Sequence, residues 1–335
     1  MGEFDLIARY FKRPVRRAAL GVGDDCALLL PRPSTQIAIS TDMLVAGRHF
    51  FADTDPCRLG HKSLAVNLSD LAACGAKPLA FTLALSLPGV DEPWLAAFAH
   101  GLLALADAHG CELIGGDTTA GPLNICITVL GEVPVVDGRS QALLRSGAKP
   151  GDDLYVSGTL GDARLALDAL LGKITLPDAV LAAARERLEQ PTPRVALGLA
   201  LRGVASAALD VSDGLIGDLG HILESSGVGA TVDADAVTTL IAANRSSTLG
   251  RPAEGPSDLS LTQDQWRTLA LSGGDDYELL FTAPVHLREA VAQASRSSQT
   301  AVTRIGQIDA TAGLRLVDQR SQPLANRYAS FDHFA

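Results

Sequence analysis

The chain has 335 residues and a formal net charge of -10, with 47% hydrophobic and 20% charged residues. This balance predicts a compact folded protein rather than a disordered one. The acidic excess argues against nucleic acid as a partner, because binding to phosphate backbones uses clustered lysine and arginine. No apolar run approaches the ~18 residues of a membrane helix, so we expect no membrane partner. An odd number of cysteines without a CxxC pair, and the absence of a signal-peptide pattern, favour small core cysteines and a cytoplasmic location.

The first half of the chain alternates predicted strands and helices. A Gly-Asp-Asp turn at 23–25 leads into a short apolar strand, and Pro93 and Gly110 mark the beginning and end of a helix. Further strands are predicted at 36–40, 82–87, 111–114 and 123–133, and helices at 61–78 and 94–109. The strand over 36–40 is expected to end in Ser-Thr-Asp, and the strand over 111–114 in a Gly-Gly-Asp turn.

A Gly- and Pro-rich stretch over 134–153 is the best candidate for a linker. We place the domain boundary there, which gives domains at 1–139 and 140–335. Beyond the linker, strands are predicted at 154–157, 207–210 and 277–282, and helices at 161–171, 177–189, 194–202, 215–225 and 262–271. The loop over 244–258 is expected to be exposed. Alternating strands and helices throughout predict an α/β or mixed α+β fold.

The predicted helix over 61–78 has two contrasting faces. One is apolar and includes Leu64, Leu68 and Leu71, whereas the other carries short polar side chains, including Asn67 and Asp70. A solvated face would carry lysine and glutamate, so we expect Asp70 to be drawn inside. A buried carboxylate needs either a cationic partner or a metal ion. The helix alone leaves both alternatives open.

Familiar phosphate-binding and catalytic patterns are missing from the sequence. There is no GxxxxGK[ST] loop, no GxSxG, HExxH or CxxC site, and Cys26 stands where a dinucleotide-binding fingerprint requires its third glycine. What remains is a set of carboxylates and hydroxyls beside glycine at predicted strand ends: Asp24, Asp25, Ser40, Thr41, Asp42, Asp70, Asp117, Asp210, Ser212 and Asp213. Any one of these aspartates could simply cap a helix or turn. Together, such oxygen ligands suit several Mg²⁺ ions, which can bring two charged phosphates together.

Six motifs in order resemble the thiamine-monophosphate kinase family: GVGDDCA (21–27), STDMLVAGRHF (40–50), NLSDLAA (67–73), GGDTT (115–119), DVSDGL (210–215) and SGGDDYEL (272–279). The likeness runs from 2–4 to the terminal FDHF at 331–334. The resemblance implies Mg²⁺-dependent transfer of the ATP γ-phosphoryl group to thiamine monophosphate, the last step of thiamine diphosphate biosynthesis. It also implies a homodimer in which paired N-terminal sheets form a central barrel flanked by C-terminal α/β domains.

The resemblance assigns roles motif by motif, and it marks no single residue as catalytic. The implied magnesium ligands are Asp25, Ser40, Thr41, Asp42, Asp70, Asp117, Asp210 and Asp213, with Asp70 shared between ions. The implied ATP contacts are Gly116, Asp117, Arg145 and Ser212. The implied thiamine monophosphate contacts are His49, Asp275 and Phe331. Arg145 could instead be a charged residue of the surface, Phe331 could belong to the hydrophobic core, and Asp24 could have no role other than capping its turn.

One departure from the family pattern concerns Asp275. The family usually has Gly-Gly-Glu-Asp-Tyr, whereas this chain has Gly-Gly-Asp-Asp-Tyr over 273–277. The side chain of Asp275 is one methylene shorter than glutamate, so its contact with substrate could be direct or bridged by water.

Other functions remain alternatives at this stage. Selenophosphate synthetase, a relative, would need a reactive cysteine and a lysine on an N-terminal glycine-rich loop, and Cys26 instead follows the acids. Aminoimidazole ribonucleotide synthetase would need a site for a ribonucleotide amide. A nucleotide or metal sensor without catalytic activity would need fewer metal ligands than this chain offers.

Overall fold

The structure is a computed structural model that describes residues 2–242, 259 and 261–328. The chain forms two compact units. Unit 1 comprises Met1–Leu71 and Gly75–Ala142, and unit 2 comprises Ala72–Cys74 and Leu143–Ala335. The sequence-based boundary between residues 139 and 140 stays a prediction.

Unit 1 combines a five-stranded mixed sheet with two long helices. Its strands are β1 (Ala18–Leu20), β2 (Leu28–Leu29), β3 (Thr35–Val45), β4 (Lys77–Leu87), β5 (Glu112–Ala120), β6 (Asn124–Val136) and β7 (Arg139–Ser140). Its helices are α1 (Glu3–Leu6), which continues as a π-helical turn over Ile7–Phe11, α2 (Pro56–Ala73) and α3 (Glu92–His109). The main sheet has the order β3-β6-β4-β5, β7 pairs with β6, and β1 and β2 form a separate ladder.

Helix α2 differs from its prediction at both ends. It begins at Pro56 rather than residue 61 and ends at Ala73 rather than residue 78. Gly75 adopts the left-handed region (φ 64°), which ends the helix, and Lys77 and Pro78 already belong to β4. The predicted apolar face is confirmed, because Leu64, Leu68 and Leu71 are almost fully buried.

Helices α2 and α3 approach each other at glycine positions. A Cβ on Gly60 would lie 2.1 Å from the Phe98 carbonyl oxygen, and one on Gly101 would lie 1.8 Å from that of Cys57. Only glycine permits such close contact between helix backbones. Helix α3 ends where predicted, at Gly110 with φ 59°, and begins at Glu92, two residues before the predicted start. Asp91 caps its first turn by accepting from the Trp94 N–H.

Two strands extend further than predicted, and this changes where the motifs lie. Strand β3 continues to Val45, so Ser40–Asp42 lie within the strand and not at its end. Strand β5 continues to Ala120, so Gly116 and Asp117 lie within a strand and not in a turn. In both cases the hydrogen bonds to a neighbouring strand continue through the polar residues. Pairing with a neighbour has overridden the low strand propensity of Asp and Gly.

Unit 2 is built on a seven-stranded sheet of order β14-β13-β10-β12-β8-β11-β9. The strands are β8 (Asp153–Ser157), β9 (Ala207–Val211), β10 (Gly229–Asp233), β11 (Glu278–Ala283), β12 (Val302–Asp309), β13 (Gly313–Val317) and β14 (Pro323–Leu324). The helices are α4 (Asp162–Leu170), α5 (Asp178–Glu189), α6 (Val195–Ala200), α7 (Leu215–Ser226), α8 (Ala234–Thr238), α9 (Gln263–Ser272) and α10 (Arg288–Ser298). Most predicted elements of this half agree within two residues, the usual uncertainty of helix ends; the helix expected to reach residue 202 ends at Ala200.

The mixed α/β character is confirmed, whereas the expected burial of the cysteines is only partly correct. The cysteines are all free, but only Cys111 is buried; Cys26 is exposed, and Cys57, Cys74 and Cys126 are half-buried. The expected loop over 244–258 lies outside the described residues. Within the described part of the chain, no helix is long and apolar enough to cross a membrane.

Candidate functional site

One group of polar residues joins the edge strand β3 to helix α2. Ser40 Oγ donates to Asp70 Oδ2 at 2.5 Å, and the Asp42 N–H donates to Asn67 Oδ1 at 3.2 Å. Ser40 and Asp42 are two residues apart in a strand, so both side chains face the helix. Asn67 is almost fully buried, and its Nδ2 donates to the Ser63 carbonyl oxygen at 3.0 Å. The group therefore concentrates carboxylate and hydroxyl oxygens on half-buried side chains: Ser40, Asp42 and the Asp70 that the sequence predicted to be drawn inside.

The acids of this group repel one another. Burial, followed by the charge of the neighbouring Asp70, raises the pKa of Asp42 to about 7. Two carboxylates this close favour a proton or a cation between them. The donor set of carboxylates, a hydroxyl and an amide oxygen matches the oxygen ligands that Mg²⁺ uses.

Thr41 faces away from this group. Its Oγ1 is 2.8 Å from Thr128 Oγ1 on the opposite face of the sheet. Because side chains alternate along a strand, Thr41 could join Ser40 and Asp42 around an ion only through its main chain. Its role as a metal ligand stays a prediction.

Asp117 lies far from Asp42 within unit 1. Strands β3 and β5 form opposite edges of the sheet, which corresponds to about 14 Å at the usual spacing between strands. The register places Asp42, Ile127, Leu83 and Gly116 in one row, and Asp117 pairs with Ala84 in another. Asp117 therefore projects from the other face, so these two acids do not meet in this unit.

Asp117 instead belongs to a second group of residues, which lines a cavity of about 660 Å³. Asp25, Gly116 and Thr118 also line the cavity, together with apolar side chains of the N-terminal segment such as Phe4 and Ile7. The structure thus brings Asp25, Gly116 and Asp117 together. Asp24 Oδ1 accepts from the N–H of the next residue, Asp25, at 2.8 Å, and whether Asp24 only caps its turn stays open.

Gly116 has a conformation that other residues rarely adopt. Its φ is 146°, and a Cβ there would lie 1.8 Å from the Leu83 carbonyl oxygen on the neighbouring strand. The glycine therefore permits the close pairing of β4 and β5 beside the cavity.

His49 lies in the turn that follows β3. Its Nδ1 accepts from the Val45 N–H at 3.0 Å, and its own main-chain N–H donates to the Val45 carbonyl oxygen at 3.0 Å. These bonds fix the imidazole ring against the end of the strand. The ring nitrogen Nδ1 is therefore used by the turn, and the contact of His49 with thiamine monophosphate stays a prediction.

A third group lies in unit 2, where strand β9 leads into the Asp210–Asp213 motif. Asp210 is buried, and Asp213 is half-buried beside Gly214, whose φ is 112°. Asp218 of α7 supports the turn, because its Oδ2 accepts from the N–H groups of Ser212 and Asp213 at 3.0 and 3.1 Å. Burial raises the pKa of Asp218 to about 7, although these N–H donors act in the opposite sense.

Asp275 lies next to this third group. Its N–H donates to the Ser212 carbonyl oxygen, and the N–H of Tyr277 donates to that of Val211, both at 2.8 Å. Asp275 and Tyr277 have φ values of 64° and 50°, in the left-handed region that costs non-glycine residues about 1–2 kcal/mol each. The Tyr277 hydroxyl donates to Asp275 Oδ1 at 3.0 Å, so it orients the carboxylate.

The remaining predicted residues are not brought into these groups by any described contact. The side chain of Arg145 is exposed, and its carbonyl oxygen accepts from Ser226 Oγ at 3.3 Å. Phe331 lies outside the described residues. Within the described ranges, no cluster of three or more His, Cys, Asp or Glu side chains is arranged to hold a metal ion. The assigned site roles therefore stay predictions.

The structure also reveals residues that the sequence did not single out. Asp218 is one, and the ion pairs of the buried Glu278 with Arg187 and Arg194 are another. Arg187 and Glu278 are 91 residues apart in the chain, so no local pattern could pair them. Two sequence signals point to Glu278: it lies within the SGGDDYEL motif, and it is a charged residue at the start of a mainly apolar strand.

Both units match known protein families. Residues 23–133 match the family described as AIR synthase related protein, N-terminal domain, and residues 149–319 match the corresponding C-terminal domain. A curated thiamine-monophosphate kinase from Salmonella typhimurium is 48% identical over 341 residues, covering 100% of this chain and 98% of the relative. The chain belongs to the thiamine-monophosphate kinase family. The resemblance found from the six motifs is thereby confirmed.

Solved structures of this family agree with the fold. The thiamine-monophosphate kinase from Stenotrophomonas maltophilia K279a has a TM-score of 0.79 and 46% identity, covering 93% of this chain and 94% of that one. A structure described as AaThiL complexed with AMPPCP and TMP has a TM-score of 0.72 and 27% identity, covering 91% and 89%. Members of the family therefore share this architecture at widely different levels of identity.

Proposed function

We propose that the chain catalyses Mg²⁺-dependent transfer of the ATP γ-phosphoryl group to thiamine monophosphate, giving thiamine diphosphate and ADP. The observation that carries this proposal is the end-to-end match, at 48% identity, with a curated thiamine-monophosphate kinase. The relative solved with AMPPCP and TMP supports the same pair of ligands. The oxygen-rich groups on both units suit a reaction between two phosphates.

The chemistry of the acceptor explains why no obvious catalytic base is needed. The second pKa of a phosphate monoester is ~6, so the attacking oxygen of thiamine monophosphate is already ionised near neutral pH. The barrier comes mainly from repulsion between two anions and from the need to align them. Positioning groups and cations address both problems without a histidine or lysine base.

The fit of Mg²⁺ rests on the donor chemistry of the groups. Ser40, Asp42 and Asp70 combine a hydroxyl with two carboxylates, and burial beside Asp70 raises the pKa of Asp42, which a divalent cation would reverse. We assign the Mg²⁺ ions to carboxylate and hydroxyl side chains of the three groups: Asp25, Ser40, Asp42, Asp70, Asp117, Asp210 and Asp213. Thr41 is assigned as a ligand through its main chain, and Asp70 as a ligand shared between ions. When bound, Mg²⁺ supplies positive charge that offsets the charge of the transferring phosphoryl group.

The organic ligands are assigned to other residues. Gly116, Asp117, Arg145 and Ser212 are assigned to ATP; the cavity beside Gly116 and Asp117 supports the first two of these assignments. His49, Asp275 and Phe331 are assigned to thiamine monophosphate. Of these, Asp275 has the clearest support, because its carboxylate is oriented by the Tyr277 hydroxyl beside the Asp210–Asp213 motif.

We also propose a homodimer in which two unit 1 sheets pair into a central barrel. The support is the face of the sheet that α2 does not cover. Ile39 and Met43 on β3 are 63% and 53% exposed on that face, beside the half-buried Cys126 and Leu130 of β6. Large exposed apolar side chains grouped on one sheet face are typical of a protein interface. A second copy of this chain would bury them.

A product assay tests the proposed reaction. Purified protein is incubated with ATP, Mg²⁺ and thiamine monophosphate, and the products are separated by chromatography; free thiamine and an aminoimidazole precursor are run in parallel. We expect thiamine diphosphate and ADP in equal amounts, formed only from the monophosphate and only with Mg²⁺. Product from another acceptor alone, or no product while ATP still binds, would contradict the proposal.

A further inference from the structure

The Asp275 loop is a short segment, Asp275–Tyr277, that holds a strained conformation between two fixed points. The first fixed point is the Val211–Ser212 main chain, whose carbonyl oxygens accept from the N–H groups of Tyr277 and Asp275. The second is formed by the contacts of Asp276. Positive φ at two non-glycine residues is stable only where the surroundings enforce it. The middle residue, Asp276, lies between these two positions, so the orientation of its peptide groups affects both.

Asp276 is held through its side chain and its main chain. Its side chain is buried and accepts from the Gly161 N–H at 3.0 and 2.9 Å. Its main-chain carbonyl oxygen accepts from Arg187 Nη2 at 3.1 Å. Arg187 is therefore a charged side chain that contacts the backbone of the Asp275 loop directly.

Arg187 is itself anchored by a buried carboxylate. Its Nη2 also donates to Glu278 Oε1 at 2.9 Å, and Glu278 is completely buried. Glu278 also accepts from Ser157 Oγ at 2.6 Å. Gly158 leaves the space for this carboxylate, because a Cβ there would lie 2.0 Å from Oε1. Burial with several donors gives the carboxylate one fixed position, and this fixes Arg187 as well.

Arg194 provides an internal comparison. Its Nε and Nη2 donate to the two oxygens of Glu278 at 2.7 and 2.5 Å. Among the described residues, Arg194 donates to Glu278 and to no part of the Asp275 loop. The two arginines thus share one buried partner, and of the two only Arg187 also donates to the loop backbone.

We propose that Arg187 is a positioning residue for thiamine monophosphate: it holds the Asp276 carbonyl and thereby fixes the Asp275 carboxylate in its binding orientation. The proposal rests on the proposed function, which assigns Asp275 to this substrate. The Tyr277 hydroxyl extends the same effect, because it donates to Asp275 Oδ1 and Tyr277 is the residue that directly follows Asp276. Arg187 acts through the loop and does not need to touch the substrate.

The decisive comparison is between Arg187→Met and Arg194→Met in the full chain. Each variant removes one arginine from Glu278, and Arg194→Met removes the larger number of hydrogen bonds to it. If only the buried charge matters, Arg194→Met will be the more damaging variant in every assay. If Arg187 positions the loop, the order reverses for one kinetic constant, the KM for thiamine monophosphate.

We expect Arg187→Met to raise the KM for thiamine monophosphate about tenfold relative to Arg194→Met, as for loss of one charged hydrogen bond. The KM for ATP is expected to change equally in both variants. The midpoint temperature of thermal unfolding is expected to be lower in Arg194→Met than in Arg187→Met. Equal KM values for thiamine monophosphate in the two variants would overturn the proposal. If the Met variants do not fold, Arg187→Lys and Arg194→Lys are compared in the same way.

A second readout does not depend on catalysis. Hydrogen exchange at the amides of Asp275 and Tyr277 is measured in both variants and in the wild-type protein. Faster exchange at these two amides in Arg187→Met than in Arg194→Met supports the positioning role, and wild-type rates in Arg187→Met overturn it. Wild-type protein that forms no thiamine diphosphate would reject the proposed function, and the exchange rates would still decide whether Arg187 holds the loop.

Discussion

The Ser40 hydroxyl donates a hydrogen bond of 2.5 Å to Asp70 Oδ2, and so connects an edge strand to a helix that begins 16 residues later, at Pro56. Asp42 faces the same place two residues further along the strand. A hydroxyl and two carboxylates therefore converge from two elements of unit 1. This convergence is the basis of the first two predictions.

Asp70→Asn is expected to fold normally and to abolish phosphoryl transfer. Asparagine keeps the shape of the side chain and can still accept from Ser40, while the negative charge that would attract Mg²⁺ is lost. Turnover and thermal unfolding are measured on the same preparation. Asp107→Asn, which changes an exposed acid paired with Arg13, serves as the control. Turnover above a few per cent of the wild-type value would refute the role given to Asp70.

Asp42→Asn is expected to stabilise the metal-free protein at high pH. The pKa of Asp42 rises from 3.8 to about 7 on folding, so the folded protein binds the proton more tightly and loses stability as the pH rises from 4 to 7. The variant lacks this loss. Its gain over the wild type should be largest above pH 7, at most about 4 kcal/mol, and should vanish near pH 4. Urea unfolding in the presence of a chelator measures the difference; a gain independent of pH would contradict the prediction.

Gly116→Ala is expected to destabilise unit 1 strongly. The new Cβ would lie 1.8 Å from the Leu83 carbonyl oxygen at a φ of 146°, so the pairing of β4 and β5 must shift, at a cost of about 3 kcal/mol or more. Gly115→Ala is the matched control, because its Cβ would meet nothing nearer than Thr82 Cγ2 at 4.0 Å. Urea unfolding compares the two variants. Similar unfolding midpoints would show that the neighbouring strand adapts to the extra carbon.

Asp275→Glu is expected to retain activity, since glutamate is the residue that the family usually has there. A modest loss of stability is expected, because aspartate tolerates the left-handed region better than glutamate. Steady-state kinetics with thiamine monophosphate measures the effect, and Asp275→Asn, which removes the charge, is the comparison. Complete loss of turnover in Asp275→Glu would instead show that the pocket is built around the shorter side chain.

Ile39→Glu is expected to convert the proposed dimer to monomers. Ile39 is 63% exposed on the uncovered sheet face, where a charge would be buried without a partner if two sheets pair. Sedimentation analysis measures the mass in solution. Val90→Glu is the control, because Val90 is also exposed, at 54%, but lies in the turn between β4 and α3. A monomeric wild-type protein, or a dimer unaffected by Ile39→Glu, would contradict the proposal that this sheet face is the dimer interface.

The ends of helices that carry strong local signals could be predicted from the sequence. Pro93 and Gly110 were sufficient to bound α3 to within two residues, because these residues act on the backbone next to them. Local signals failed where strand pairing decided the outcome. Ser40–Asp42 and Gly116–Asp117 look like turns, yet pairing with a neighbouring strand keeps both segments extended.

The sequence by itself determined the family, because six motifs in order over nearly the whole chain seldom occur together by chance. It also predicted the type of chemistry, since carboxylates and hydroxyls beside glycine favour hard cations. Only the tertiary structure decided which of these oxygens meet. Sheet register separates Asp117 from Asp42 in unit 1, and the fold of unit 2 brings Arg187 to Glu278 across 91 residues of chain. Register and long-range contacts result from packing of the whole unit, and no short segment of the chain encodes them.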